Sequence, residues 1–142
     1  MPPKLTHLAF NGIFDNPVNS RNLPSTLTHL SFNGNFNREI NDLPKSLTHL
    51  ILDSDFDQKI NKLPRSITHL FCGNYFSQKV NHLPSFLTHL RLGKCFEHPF
   101  RNLPGTLTNL VIAYRYTVKF PNLELPKKVT IVVVGGGARC MQ

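Results

Sequence analysis

The chain has 142 residues, 40% of them hydrophobic, enough for one packed domain, and no apolar run approaches the length of a membrane span. Its formal charge of +8 would attract nucleic acid, anionic lipid or acidic protein surfaces without selecting among them. Three cysteines, with Cys72 on an apolar repeat position, argue against a disulfide framework and for a reducing compartment. The opening "MPPKLTHLAFNG" lacks the basic-then-apolar pattern of a secretory leader, so an intracellular protein is expected.

Taken in chain order, the sequence repeats itself. Leu-Pro pairs begin at Leu23, Leu43, Leu63, Leu83, Leu103 and Leu125, in steps of 20, 20, 20, 20 and 22 residues, and Met1-Pro2 stands one step earlier. A fixed period of this length is the signature of a solenoid. With the leucine of "LTHL" as position 1, apolar residues fall at positions 1, 4, 6, 10, 14 and 17 and proline at 18. One copy reads Leu27, Leu30, Phe32, Phe36, Ile40 and Leu43, and the next Leu47, Leu50, Leu52, Phe56, Ile60 and Leu63. Leu70, Phe76, Leu90 and Phe96 continue the core in the following two.

The fragment "LTHLSF" sets Leu30 and Phe32 inward with His29 and Ser31 between them, the period of a strand. One strand per repeat gives about seven parallel strands, the last in "VTIVVVGGG". Twenty residues leave no room for a long helix, so each return must be turns, extended segments or one short helical turn, for which Phe36 and Ile40 have the four-residue spacing. The first copy inserts two residues in "NSRN" and the sixth lengthens before Leu125, both in the turn where a solenoid tolerates added residues. The expected fold is a mainly β repeat solenoid, a right-handed coil over residues 1–134, with a Gly-rich tail at 135–142. Phe14, Phe36, Phe56, Phe76, Phe96 and Tyr116 should form an aromatic spine, each ring contributing roughly 2 to 3 kcal/mol of burial.

The recurring pattern "LPxSLTHLxF…F…I…LP" resembles the FNIP (IP22) repeat of social amoebae and of giant viruses that infect amoebae, and more distantly the leucine-rich repeat. The resemblance covers residues 1 to 134 and implies a leucine-rich-repeat-like solenoid used for protein interaction. Many relatives carry an F-box ahead of the repeats; here Met1 already occupies a repeat position, so the F-box role is not supported by residues of this sequence. The turn asparagine of leucine-rich repeats is also missing, since position 9 holds Ile13, Asn35, Asp55, Tyr75, Cys95 and Arg115.

Positions 3 and 5 point to the solvent face. His7, His29, His49, His69 and His89 then form a column that Asn109 continues and Ile131 ends, beside a variable row that includes Ile51, Phe71 and Arg91. Stacked imidazoles passing hydrogen bonds along the column are the structural reading, and a recognition surface the functional one; the two are compatible. A zinc ladder lacks the mixed ligand set of zinc sites. Catalysis is not expected either, because an active site is unique whereas Thr6, Thr28, Thr48, Thr68, Thr88, Thr108 and Thr130 recur beside the histidines in register. Those hydroxyls should bond backbone at the bend into each strand.

No cofactor or metal is expected. The leading expectation is a noncatalytic interaction scaffold or adaptor whose protein partner the sequence does not name, in the host cytoplasm if viral. The alternative is a basic protein with nonspecific phosphate binding, since the charges do not interleave with aromatics as sequence-reading of nucleic acid would need. The terminal strands lack polar caps, so homo-oligomerisation through open edges is a further expectation.

Overall fold

The computed structural model describes residues 4–135. Its strands are β1 His7–Gly12, β2 His29–Gly34, β3 His49–Leu52, β4 His69–Cys72, β5 His89–Arg91, β6 Asn109–Ala113 and β7 Thr130–Val134. They lie side by side in chain order in one parallel seven-stranded sheet, so the chain is a β-solenoid whose six returns make about six turns. The expected tail, apart from Gly135, and the Met1-Pro2 pair lie outside the described residues.

Stacking copies in register fills the interior with columns. Leu27, Leu47, Ile67, Leu87 and Leu107 at position 1 are all 0% exposed. Leu30, Leu50, Leu70 and Leu90 are buried beneath the sheet, and Phe32, Phe36, Ile40, Leu43, Phe56, Phe76 and Phe96 fill the coil behind them. Each turn into a strand is closed by the proline carbonyl, which accepts the amide of position 1, as in Leu47 N–H to Pro44 O at 3.1 Å and Leu87 to Pro84 at 3.1 Å. Proline serves here as an acceptor with preset φ, so its missing N–H is no loss.

The spacing of the rings shows which way the coil bends. Phe14, Phe36, Phe56, Phe76 and Phe96 stack with centroids 6.1, 6.2, 6.3 and 6.3 Å apart, whereas the histidines on the solvent face of the strands stand 4.0, 4.0, 4.1 and 4.1 Å apart. Strands themselves are spaced by about 4.8 Å. The turns fan out on the core side and close up on the histidine side, so the open sheet face is concave.

As expected, the returns hold little helix: among the described residues the one helical segment is α1 Tyr114–Lys119, in the sixth repeat. In the returns around Phe56 and Phe76, backbone N–H groups bond sideways to the preceding repeat (Asp57 N–H to Asn37 Oδ1, 2.9 Å; Ser77 N–H to Asp57 Oδ1, 2.8 Å) instead of closing a helix. Two expectations are corrected. The last strand is shifted by one residue: Thr130 pairs with Asn109 and Ile131 with Leu110, so Thr130 and not Ile131 ends the histidine column. Finally, the cysteines are not all thiols. Cys72 is buried and free, and burial pushes its pKa up, but Cys95 is disulfide-bonded.

Candidate binding face

Each imidazole of the column is held by its own repeat. The Thr Oγ1 at position 2 lies 2.9 Å from the Nδ1 of the following histidine in all five copies, Thr6–His7, Thr28–His29, Thr48–His49, Thr68–His69 and Thr88–His89. From the second repeat on, the same hydroxyl also reaches the threonine carbonyl of the preceding repeat, at 3.0 to 3.2 Å. That carbonyl further accepts two amides, for example Thr48 N–H and His49 N–H to Thr28 O at 2.9 and 3.0 Å. Threonine at the bend therefore ties strand to strand and fixes ring orientation together.

The rings stack face to face, 10 to 14° from parallel. Hydrogen bonds do not run along the column, contrary to expectation, because parallel rings one above the other aim no N–H at a neighbour; the bonds go to threonine. Nδ1 faces the backbone and Nε2 the opposite way, without a protein partner among the described residues. Asn109 keeps the arrangement, with Thr108 Oγ1 donating to its Oδ1 at 2.8 Å.

This geometry does not suit a metal. Zinc holds imidazole nitrogens at about 2.0 to 2.1 Å in converging directions, whereas parallel rings 4.0 Å apart present lone pairs that do not converge. Among the described residues no group of three or more His, Cys, Asp or Glu side chains is placed to hold a metal ion.

The column resists charge. The pKa values of His29, His49 and His69 lie below the ordinary value of 6.5. Partial burial between neighbouring rings is the largest cause, followed by repulsion from the other histidines. Folding thus favours the neutral rings, and the unfolded chain takes up protons first as pH falls below about 6.5. Stability is full above that pH and declines as pH drops towards the lowered folded values.

Beside the column, position 5 varies in size. Ala9 and Ser31 are small, whereas Ile51 (39% exposed) and Phe71 are large, and the step between them leaves a recess of about 350 Å³ walled by His7, His29, His49 and His69. A second hollow of about 300 Å³ continues past Ile51 and Phe71 to Arg91 and Asp53 at the strand ends. The backbone comes close here: a Cβ on Gly73 would strike Asp53, and one on Gly93 would strike Gly73. Positions 1 to 6 of the first six repeats contain none of the chain's eight Asp and Glu residues. The sheet face is apolar and titratable, with Arg91 as its fixed charge.

Two side-chain ladders escaped the sequence reading. At position 11, Asn37 and Asp57 accept from the next repeat, with Gln58 Nε2 to Asn37 Oδ1 and Gln78 Nε2 to Asp57 Oδ1 both at 3.1 Å, supplying the turn cross-link that position 9 lacks. At the residue before position 1, Ser46 Oγ donates to Leu27 O at 2.6 Å, Ser66 Oγ to Leu47 O at 2.7 Å and Thr106 Oγ1 to Leu87 O at 2.8 Å. Phe86 interrupts that second ladder and is 57% exposed. A register of polar residues with any hydroxyl or acceptor was the available signal.

The family model of the FNIP repeat matches residues 1–35 and 35–75. The chain belongs to the FNIP repeat family. Its fold is similar to the crystal structure of CroV588, a giant-virus protein described as a novel circular LRR protein, with a TM-score of 0.72 and 35% identity. The match covers 95% of the FNIP chain and 25% of CroV588, so the chain spans about a quarter of that protein's length. No curated protein matches. No helix among the described residues is long and apolar enough to cross a membrane.

Proposed function

We propose that this FNIP solenoid is a noncatalytic interaction scaffold or adaptor that receives a protein partner on its concave sheet face. The observation that carries the reading is the apolar recess between the histidine column and Ile51 and Phe71, on a face free of carboxylates. His7, His29, His49, His69, His89, Asn109, Ile51, Phe71 and Arg91 are its candidate contacts. Recurrence in register supports binding over catalysis, since a reaction needs one unique set of acid, base and nucleophile. An intracellular setting, the host cytoplasm if viral, rests on the likeness to a giant-virus protein; the disulfide at Cys95 points the other way.

Capture from an amoebal lysate with and without the pair Ile51→Arg and Phe71→Arg tests the reading. Capture that survives nuclease and is lost in the variant supports it; capture unchanged in the variant contradicts it. The net charge of +8 favours one alternative, nonspecific phosphate binding, for which capture is nuclease-sensitive and falls steeply with salt. The open edges suggest a further contact. β7 leaves Ile131, Val132 and Val133 40%, 48% and 45% exposed, and Leu8 and Phe10 of β1 are only half-buried where interior copies are closed. A second copy stacking β1 on β7 would extend the sheet head to tail, and the circular array of CroV588 supports that geometry. Sedimentation independent of concentration would rule it out.

A further inference from the structure

Resting on the reading that the concave face binds protein, we propose that the histidine column and the adjoining recess form a proton-dependent site for an extended peptide carrying both acidic and apolar side chains.

The charge layout selects an acidic occupant. All eight carboxylates (Asp15, Glu39, Asp42, Asp53, Asp55, Asp57, Glu97 and Glu124) lie off positions 1 to 6. On the face itself stand five imidazoles and Arg91, and the turns that lead into the strands add the exposed Lys4, Lys45 and Arg65. Just past the strand ends stand Asp53, at position 7 of its repeat, and Lys94, at position 8 of its own. The charges that act on His29, His49 and His69 are the other histidines. Protonated rings 4.0 to 4.1 Å apart thus have no counter-ion among the described residues, and an external row of carboxylates supplies one.

The threonines let the rings charge without moving. In an imidazolium, Nδ1–H donates to the threonine Oγ1 at 2.9 Å, while the hydroxyl hydrogen turns to the preceding threonine carbonyl at 3.0 to 3.2 Å. Nε2–H then points away from the backbone as a donor. The site is preorganised in both charge states, and binding needs protons more than rearrangement.

The recess decides between a peptide and a simple polyanion. A chain of phosphates would use the column and leave the apolar walls of Ala9, Ile51 and Phe71 uncovered, whereas apolar side chains of a peptide fill them. The column is about 16 Å long from its four ring spacings. Five extended residues at about 3.3 Å each match it.

The test uses a labelled six-residue peptide of alternating glutamate and leucine, with fluorescence anisotropy at pH 6.0 and 7.5. Calorimetry at pH 6.5 in buffers of different ionisation enthalpy counts the protons. The expected result is at least tenfold tighter binding at pH 6.0 and uptake of one or more protons. The double variant His49→Asn with His69→Asn should reduce the pH effect below threefold; Asn109 shows that the column accepts asparagine. Should circular dichroism show that variant unfolded, His69→Asn alone is measured. Flat binding between the two pH values, zero proton uptake or no binding at all overturns the proposal. So does inorganic polyphosphate bound as tightly as the peptide. Such a failure leaves the broader reading standing if Phe71→Arg still abolishes capture of a protein partner at neutral pH, so the two fail separately.

Discussion

On the concave face five imidazoles stack 4.0 to 4.1 Å apart; across the same strands, in the core, the phenylalanine column stacks 6.1 to 6.3 Å apart. Both columns come from one repeat, and both are rows of aromatic rings at one position. The buried column is held by exclusion from water and close packing, so each ring carries a large share of stability. The exposed column is held by threonine hydroxyls and backbone register, so a ring there is replaceable while its chemistry faces outward. A repeat that writes the same residue five times can therefore be building a wall in one column and a surface in the other.

The comparison is broken most severely from the core side. Phe76→Ala removes a ring that is 0% exposed between Phe56 and Phe96, and is expected to destabilise the fold by about 3 to 5 kcal/mol in denaturant unfolding. Ser66→Ala removes the hydroxyl bonded to Leu47 O at 2.7 Å, and a loss of about 1 kcal/mol is expected by the same measurement. Phe86→Ser runs in the opposite direction: it restores the missing hydroxyl of that ladder and removes an exposed ring, and should raise the unfolding midpoint by a gain of about 0.5 to 1.5 kcal/mol. His69→Asn is the smallest, within about 0.5 kcal/mol at pH 8, as for an ordinary surface change. If His69→Asn matched Phe76→Ala, the contrast between the columns would collapse.

Much of this architecture is legible in the sequence because a solenoid repeats its instructions. The Leu-Pro period, the alternation in "LTHLSF" and the placement of His29 opposite Leu30 give strand number, parallel order and the outward column. Curvature is not legible, since it arises from the difference between two ring spacings that no single residue encodes. The slip in β7 has a local cause. "VTIVVV" is apolar without alternation, so neither face identifies itself and register is weakly specified, even though Val129 N–H still bonds Pro126 O at 3.1 Å, the same contact that Leu27, Leu47, Ile67, Leu87 and Leu107 make in their turns. The acceptor ladder was hidden because Asn37 and Asp57 do one job with different side chains. The recess was partly visible: Ala9, Ser31, Ile51 and Phe71 show the change in size, but the hollow exists only because His7, His29, His49 and His69 stand in a continuous wall beside them.

The most direct test of the stacked column is NMR titration of the ring protons of His29, His49 and His69, followed alongside unfolding free energy from pH 8 to pH 5. Midpoints below 6.5 are expected for all three rings, with stability constant at high pH and falling as pH drops below about 6.5. Three independent titrations at the ordinary histidine value, with stability unchanged across that window, would contradict the stacked column.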